Sequence, residues 1–273
     1  MSTGFRDRPT RMPGRPLNAD WCRAQRAGRL LGGRLLYLPQ TTSTNEEALH
    51  YAAAGAPEGT VVVADTQTAG RGRRGRQWQD EPGQSLLFSV LLRPLPPPPL
   101  WSLLSLGTAV AVAEALRESY GLPVATKWPN DVVIAGRKLA GLLLEQRGAA
   151  VVVGVGLNVN GSREVLQVCV DRPVTTLEAE RGLPLSREEV FVTVLAKMEA
   201  IYHQFQAGDL AGLVPRYRQL ESLLGQAVRV IVGGEQICGV ATEVTDWGSL
   251  IVATPGGQRE IIAGEAEVIA DGE

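Results

Sequence analysis

Residues 70 to 78 read Gly70-Arg71-Gly72-Arg73-Arg74-Gly75-Arg76-Gln77-Trp78, with four arginines and three glycines in the first seven positions and no acid. A segment of this composition cannot build a core, because glycine has no side chain to bury and arginine carries a charge that resists burial. Glycine also lets backbone approach a ligand closely, and the planar guanidinium matches carboxylate and phosphate oxygens. The stretch predicts a mobile cationic flap that closes on an anion. A solvated turn and a loose arginine-glycine grip on nucleic acid are the competing readings. The elements on either side of the flap must therefore fix the fold.

Upstream, residues 34–38 and the β-branched run 59–64 predict strands,. Between them, Thr41 to Glu47 offers caps to a helix reaching about Ala54, and with Thr44 as cap Glu47 stands at capping-box spacing,. Such a helix start also presents free N–H groups to an anion. Downstream, residues 85–92 form a strand that ends where Pro94 and the prolines 96–99 forbid ladder hydrogen bonds,. Residues 100–120 form an alanine-rich helix long enough to back a sheet. Apolar strands around Gly136-Arg137 make a hairpin, with Lys138 opening its second strand, and residues 151–159 add a third strand ending in Asn158 and Asn160,. Helices follow over 188–206 and 210–224. From Gly225 the pattern changes to short alternating strands, 228–232, 236–244, 249–253 and 258–262, which predict a small barrel,. The fold class expected is α+β, a mixed sheet backed by helices. Its parts are a basic, partly disordered tail over 1–34 with at most one short helix, a large domain over 35–222 and a barrel over 223–273.

Composition narrows the partners. The 273 residues are 44% hydrophobic and carry a net charge of -2, so a protein coated in positive charge for nucleic acid is not indicated,. Charge is instead polarised, with eight arginines against Asp7 and Asp20 in residues 1–34, and two arginines against eight acids from Leu223 onward. Three scattered cysteines, Cys22, Cys169 and Cys238, give neither a disulfide framework nor a zinc spacing, and point to a reducing cytoplasm,. No apolar signal core or spanning run predicts a membrane. Arginine outnumbers lysine 24 to 3, yet Lys127 and Lys138 stand close together in the middle of the chain. A lysine kept where arginine is the rule points to a site that needs a compact ammonium.

Four blocks, in order, resemble the biotin protein ligases: Thr42-Ser43-Thr44-Asn45; Gln67 with Gly70 to Trp78; Lys127-Trp128-Pro129-Asn130-Asp131 with Gly136-Arg137-Lys138-Leu139-Ala140-Gly141; and Gly154 to Asn160. The resemblance implies a catalytic domain like that of the class II synthetases followed by an SH3-like barrel. It implies that biotin and ATP give biotinyl-5'-AMP and pyrophosphate, after which biotin passes to a lysine of a biotin carboxyl carrier domain. Ser43, Thr44, Asn45, Gln67, Gly72 and Gly141 match the biotin-binding positions. Arg71, Arg73 and Lys138 match the groups that meet the carboxylate and phosphate and carry catalysis. Arg76, Trp78, Lys127, Asn130, Asp131 and Asn158, with Arg73 and Lys138, are the ATP-binding candidates. Trp78 is either an adenine stacking surface or a core residue, Asp131 either a nucleotide or Mg²⁺ contact or a salt-bridge partner. No resident metal is implied.

The chemistry of the residues agrees. Joining a carboxylate to the α-phosphate of ATP brings two anions together, so fixed cations and Mg²⁺ lower the barrier without a protein nucleophile. A closed flap would also shield an acyl-adenylate from water. Members with an N-terminal winged helix act as repressors; the short arginine-rich start of this chain leads us to expect a ligase without DNA binding, with a homodimer among its assemblies. A lipoate or octanoate ligase, or a nucleic-acid module using Arg71 to Arg76, are the rival readings.

Overall fold

The computed structural model describes residues 14–170 and 172–269. The first thirteen residues of the expected tail lie outside them. The chain from Leu17 onward packs: helix α1 (Ala19–Arg26) buries Cys22, and Leu17 and Leu31 join the main core. Strand β1 (Leu35–Thr41) leads to helix α2 (Thr44–Ala53), and strand β2 (Val61–Gln67) pairs parallel to β1. After the flap come strand β3 (Ser85–Leu92) and helix α3 (Ser102–Tyr120). Strands β4 (Val124–Lys127), β5 (Asp131–Ile134), β6 (Arg137–Arg147) and β7 (Ala150–Asn158) follow, all paired antiparallel. The seven strands form one mixed sheet in the order β1-β2-β3-β7-β6-β5-β4.

Side-chain alternation divides this sheet into two faces. On β7, Val151, Val153, Val155 and Leu157 enter the main core with Leu86, Phe88 and Val90 of β3. That face is covered by α3, whose apolar composition is that of a core helix, and by helix α6 (Arg187–Gln206). By length and composition the segment Pro98–Tyr120 is apolar enough to cross a membrane, but 72% of its apolar 18-residue stretch lies buried inside the protein. On the other face α2 covers Val62, Leu91 and Val152, and beyond it the same face carries Ser89, Gly154 and Gly156. Two short helices between β7 and α6, α4 (Arg163–Cys169) and α5 (Leu177–Arg181), have no periodicity long enough to read from sequence. Helix α7 (Leu213–Leu220) is shorter than expected, because at 222 the chain turns to hydrogen-bond β4 through Ser222 N to Thr126 O at 2.9 Å.

The last five strands form the small SH3-like barrel: β8 (Ala227–Val232), β9 (Glu235–Val244), β10 (Leu250–Thr254), β11 (Gly257–Ile261) and β12 (Glu265–Val268), in the order β11-β10-β9-β8-β12. Strand β12 was not expected; its Glu-Ala-Glu-Val offers one fully buried position, Ala266, and pairs with β8. The barrel joins the large domain through Trp128 Nε1, which donates to Gly248 O at 2.9 Å, and Arg218, which donates to Val244 O at 2.5 Å.

Phe88 of β3 and Phe191 of α6 meet edge to face at 5.1 Å between centroids, both with no exposed surface. Phe191→Ala is expected to lower stability by about 3–5 kcal/mol in denaturant unfolding, the cost of a buried ring and the void it leaves. A loss under about 1 kcal/mol would show that this contact does not carry the helix-on-sheet interface.

Candidate functional site

The floor of the site is the open face of β6 and β7. Register sets Gly141 opposite Gly156 and Leu143 opposite Gly154, leaving a strip of sheet with little side chain above it. The glycines are required by what lies over them. A Cβ at Gly154 would stand 2.1 Å from Asn45 Oδ1, and one at Gly156 would stand 2.6 Å from the Trp78 ring. Above Gly141 a Cβ would meet Lys138 Nζ at 2.9 Å.

At one end of the floor the start of α2 contributes a buried polar set. The helix is capped by Ser43, in extended conformation and without a side-chain bond, and not by Thr44 as the capping-box spacing suggested. Thr44 is instead committed sideways: its N–H and hydroxyl both donate to Gln67 Oε1, at 2.7 and 3.0 Å. Ser89 Oγ donates to Asn45 Oδ1 at 2.6 Å, and Asn45 Nδ2 donates to Leu143 O at 3.2 Å and Glu145 Oε2 at 2.7 Å. Ser43, Thr44 and Asn45 are all nearly inaccessible, so this end is rigid and specific in its donors and acceptors,.

The flap arches over the other end. Its two sides meet through Gly72 N to Arg76 O at 2.7 Å and Trp78 N to Gly70 O at 3.0 Å, and Arg74 between them sits in the left-handed region at φ 56°. That conformation costs a non-glycine residue about 1–2 kcal/mol and is held here by contacts to the barrel. Arg74 donates to Ile231 O at 3.2 Å and Arg76 pairs with Glu265 at 2.5 Å. Arg71 lies 3.6 Å from Glu145, while Arg73 turns inward to Asn130 Oδ1 at 3.3 Å. Lys138 Nζ is held by Asp131 at 2.6 Å and stands 5.8 Å over the Trp78 ring, within cation-π range,.

Burial is the main force lowering the proton affinity of Lys138, opposed by Asp131; burial also lowers that of Arg73, with Arg74 adding to it. Both heads are thus poorly hydrated cations, Lys138 paired with a carboxylate and Arg73 hydrogen-bonded to a neutral amide,. Two buried atoms of the wall, Trp78 Nε1 and Asn158 Oδ1, have no hydrogen-bond partner among the described residues, although Asn158 Nδ2 donates to Thr175 O at 3.0 Å. Unsatisfied buried groups of this kind are what a ligand would complete.

Every site residue expected from the sequence lines one cavity of about 680 Å³: Ser43, Thr44, Asn45, Gln67, Arg71, Gly72, Arg73, Arg76, Trp78, Lys127, Asn130, Asp131, Lys138, Gly141 and Asn158. That volume suits a ligand of metabolite size. Asn130 also has a scaffold duty, its Nδ2 donating to Leu142 O at 2.7 Å. Sequence reasoning missed Ser89, Glu145, Arg172, which lies 3.9 Å from Asp131, and the barrel residues Glu265 to Val268 that form part of the rim. Ser89 left a signal, a hydroxyl inside an otherwise apolar strand; the barrel residues left none.

Comparisons with known proteins agree with this geometry. A family model described as "Biotin/lipoate A/B protein ligase family" matches residues 37–161, and one described as "Biotin protein ligase C terminal domain" matches residues 223–268. The chain is 35% identical over 261 residues to the biotin--[acetyl-CoA-carboxylase] ligase of Mycobacterium tuberculosis, covering 93% of this chain and 96% of that protein. It is 32% identical over 243 residues to the bifunctional ligase/repressor BirA of Escherichia coli, covering 87% of this chain and 75% of that one. Among solved structures, the biotin protein ligase from Aquifex aeolicus in complex with biotin and ATP superposes with a TM-score of 0.74 at 30% identity, over 86% of this chain and 98% of that one.

Gly154→Ala is expected to cost about 1–3 kcal/mol in thermal unfolding, because Asn45 must move and abandon its buried partners. Gly256→Ala, where the nearest atom would be 3.8 Å away, is the control. Equal losses in the two would show that Asn45 does not impose the glycine.

Proposed function

This chain belongs to the biotin protein ligase family and is an ATP-dependent biotin ligase, and from that premise we propose how its cavity carries the reaction. Ser43, Thr44, Asn45 and Gln67 hold the ureido ring, whose donors and acceptors suit the fixed polar groups at the start of α2. The flat glycine strip along Gly141, Gly154 and Gly156 takes the apolar ring and valeryl chain, leaving the carboxylate under Arg71, Arg73 and Lys138. ATP enters from the barrel side, with Trp78 and Asn158 toward the adenosine and Arg76, Lys127, Asn130 and Asp131 toward the phosphates.

A carboxylate oxygen of biotin attacks the α-phosphorus, the bond to the bridging oxygen breaks, and pyrophosphate leaves with that electron pair. Lys138 and Arg73 act by neutralising the oxygens on both sides of the forming bond, which lets the two anions approach and stabilises charge in the transition state. In the second step the neutral amine of a carrier lysine attacks the acyl carbon, AMP departs, and an amide forms as the amine loses its proton. The observation that carries the proposal is that Arg71, Arg73 and Lys138 line one cavity together with the rigid hydrogen-bonding set at the start of α2, where Arg71 and Asn45 share the Glu145 carboxylate.

Among the described residues no group of three His, Cys, Asp or Glu side chains is placed to hold a metal ion, and Asp131 already faces Lys138 and Arg172. Mg²⁺ arrives with the triphosphate, where it would offset phosphate charge, with Asn130 and Asp131 the groups beside it. The proposal takes a biotin carboxyl carrier domain of a carboxylase as the acceptor, is compatible with a homodimer, and sets the enzyme in the cytoplasm.

Pyrophosphate exchange into ATP should follow added biotin and not lipoate, and Lys138→Ala should reduce it by about 10²–10³-fold. Exchange driven by lipoate, or unchanged by the substitution, would overturn the assignment. The pH profile gives a second test. Burial lowers the Lys138 affinity for its proton, so the ammonium is lost as pH rises through a value below that of an ordinary lysine. The exchange rate should therefore fall on the alkaline side earlier than a free lysine would dictate, and the residual rate of Lys138→Ala should lack that limb.

A further inference from the structure

The flap leaves β2 after Gln67 and returns to the sheet at Ser85, so its freedom is set by what holds those two legs. Both are held by one buried assembly outside the cavity. The Asp65 carboxylate near the end of β2 accepts from Leu17 N at 3.2 Å and Tyr37 Oη at 2.5 Å, and pairs with Arg187 at 2.9 Å. On the returning leg, Gly83 N donates to Asp65 O at 3.1 Å, and Arg187 Nη1 donates to Ser85 O at 3.1 Å. Gly83 O in turn accepts from Gly14 N at 3.3 Å, and Arg187 donates to Arg15 O at 2.5 Å. Arg187 is the first residue of the 20-residue helix α6, a fixed support on the core side of the sheet. Asp65 and Arg187 are 8% and 5% exposed, too buried for water to replace either partner.

A buried ion pair is costly to assemble and is weak support for stability by itself. This one joins the outgoing leg, the returning leg, the segment ahead of α1 and a core helix at a single point. We propose that Asp65, acting with Arg187, is a positioning residue of the ligase: it clamps the two legs of the flap, and so determines how long the acyl-adenylate stays enclosed. The inference rests on the ligase reading above and adds to it a device for retention, with the chain around Arg15 and Leu17 built into the clamp. Neither residue lines the cavity, so neither is catalytic.

The test is to form biotinyl-AMP on the full chain from labelled biotin and ATP without carrier, then chase with unlabelled biotin and follow loss of bound label. Asp65→Asn and Arg187→Gln should each speed that loss by about tenfold, because a flap freed at its root opens more often, while the rate of adenylate formation at saturation changes far less. The double variant, which removes both charges of the Asp65–Arg187 pair, should lose label more slowly than either single variant. Leu116→Ala, a fully buried position of α3 over the opposite edge of the sheet, is destabilised away from the clamp and should retain label as the unaltered chain does,. If Asp65→Asn does not fold, Tyr37→Phe removes one hydrogen bond from the same carboxylate and should speed loss about two- to threefold. Retention unchanged in the folded clamp variants, or lost in proportion to melting temperature with Leu116→Ala on the same line, would overturn the clamp and leave the ligase reading intact. No adenylate on the unaltered chain would overturn the ligase reading itself.

Discussion

The constraint on which this structure depends is mutual repulsion among cations that must stand close together before their substrates arrive. Arg71, Arg73, Arg76, Lys127, Lys138 and Arg172 line the cavity, against Asp131, Glu265 and Glu267. Three carboxylates are used to park charge: Asp131 on Lys138 and Arg172, Glu265 on Arg76, and Glu145 on Arg71. Arg73 hydrogen-bonds to the neutral amide of Asn130, with Glu265 and Asp131 acting on it from farther off. Burial penalises the heads of Lys138 and Arg73, and the lining carries more cations than carboxylates, an excess that two bound anions would relieve,.

That excess is tolerable only because the fold separates it from the core by a single strand's alternation. Odd residues of β7 are valines and a leucine sealed against α3 and α6; the even residues are Val152 under α2, then Gly154, Gly156 and Asn158 in the site. A slip of one residue would put the glycines in the core and the valines under Asn45 and Trp78. The clash distances at Gly154 and Gly156 show how little room there is: the register, the helix α2 and the flap tryptophan are fitted to one another. The site is thus an outcome of sheet packing as much as of its charged residues.

Much of this was legible in the chain because it rests on local pattern. The β-branched runs of β2 and β7, the serine-bounded strand β3 and the proline stop after it mark their elements directly, and the strong glycine-arginine composition marks the flap. What could not be read depends on contacts between distant segments. Thr44 looks like a helix cap until Gln67, 23 residues away, is brought beside it to take both its donors. Strand β12 has too few apolar positions to announce itself, yet it brings Glu265 to Arg76 across 189 residues of chain. Leu17 and Cys22 follow an arginine-rich start and read as tail, but bury completely once α6 supplies a surface for α1.

The scarcity of lysine now has a steric reading. Lys197 lies on the outside of α6, paired with Glu118, where either basic residue would serve. Lys138 is different. Its ammonium is wedged among Asp131, the Trp78 ring and the bare backbone at Gly141, so close that even a methyl on that glycine would touch it. A guanidinium is wider and flat, and its fixed fork would have to displace either the indole or the carboxylate. The flap, whose Arg71, Arg74 and Arg76 heads lie partly in solvent, has room for arginine; the strand, which presents its charge between an indole and a carboxylate, does not. The division of the two cationic residue types between loop and sheet follows from which of them has space to turn.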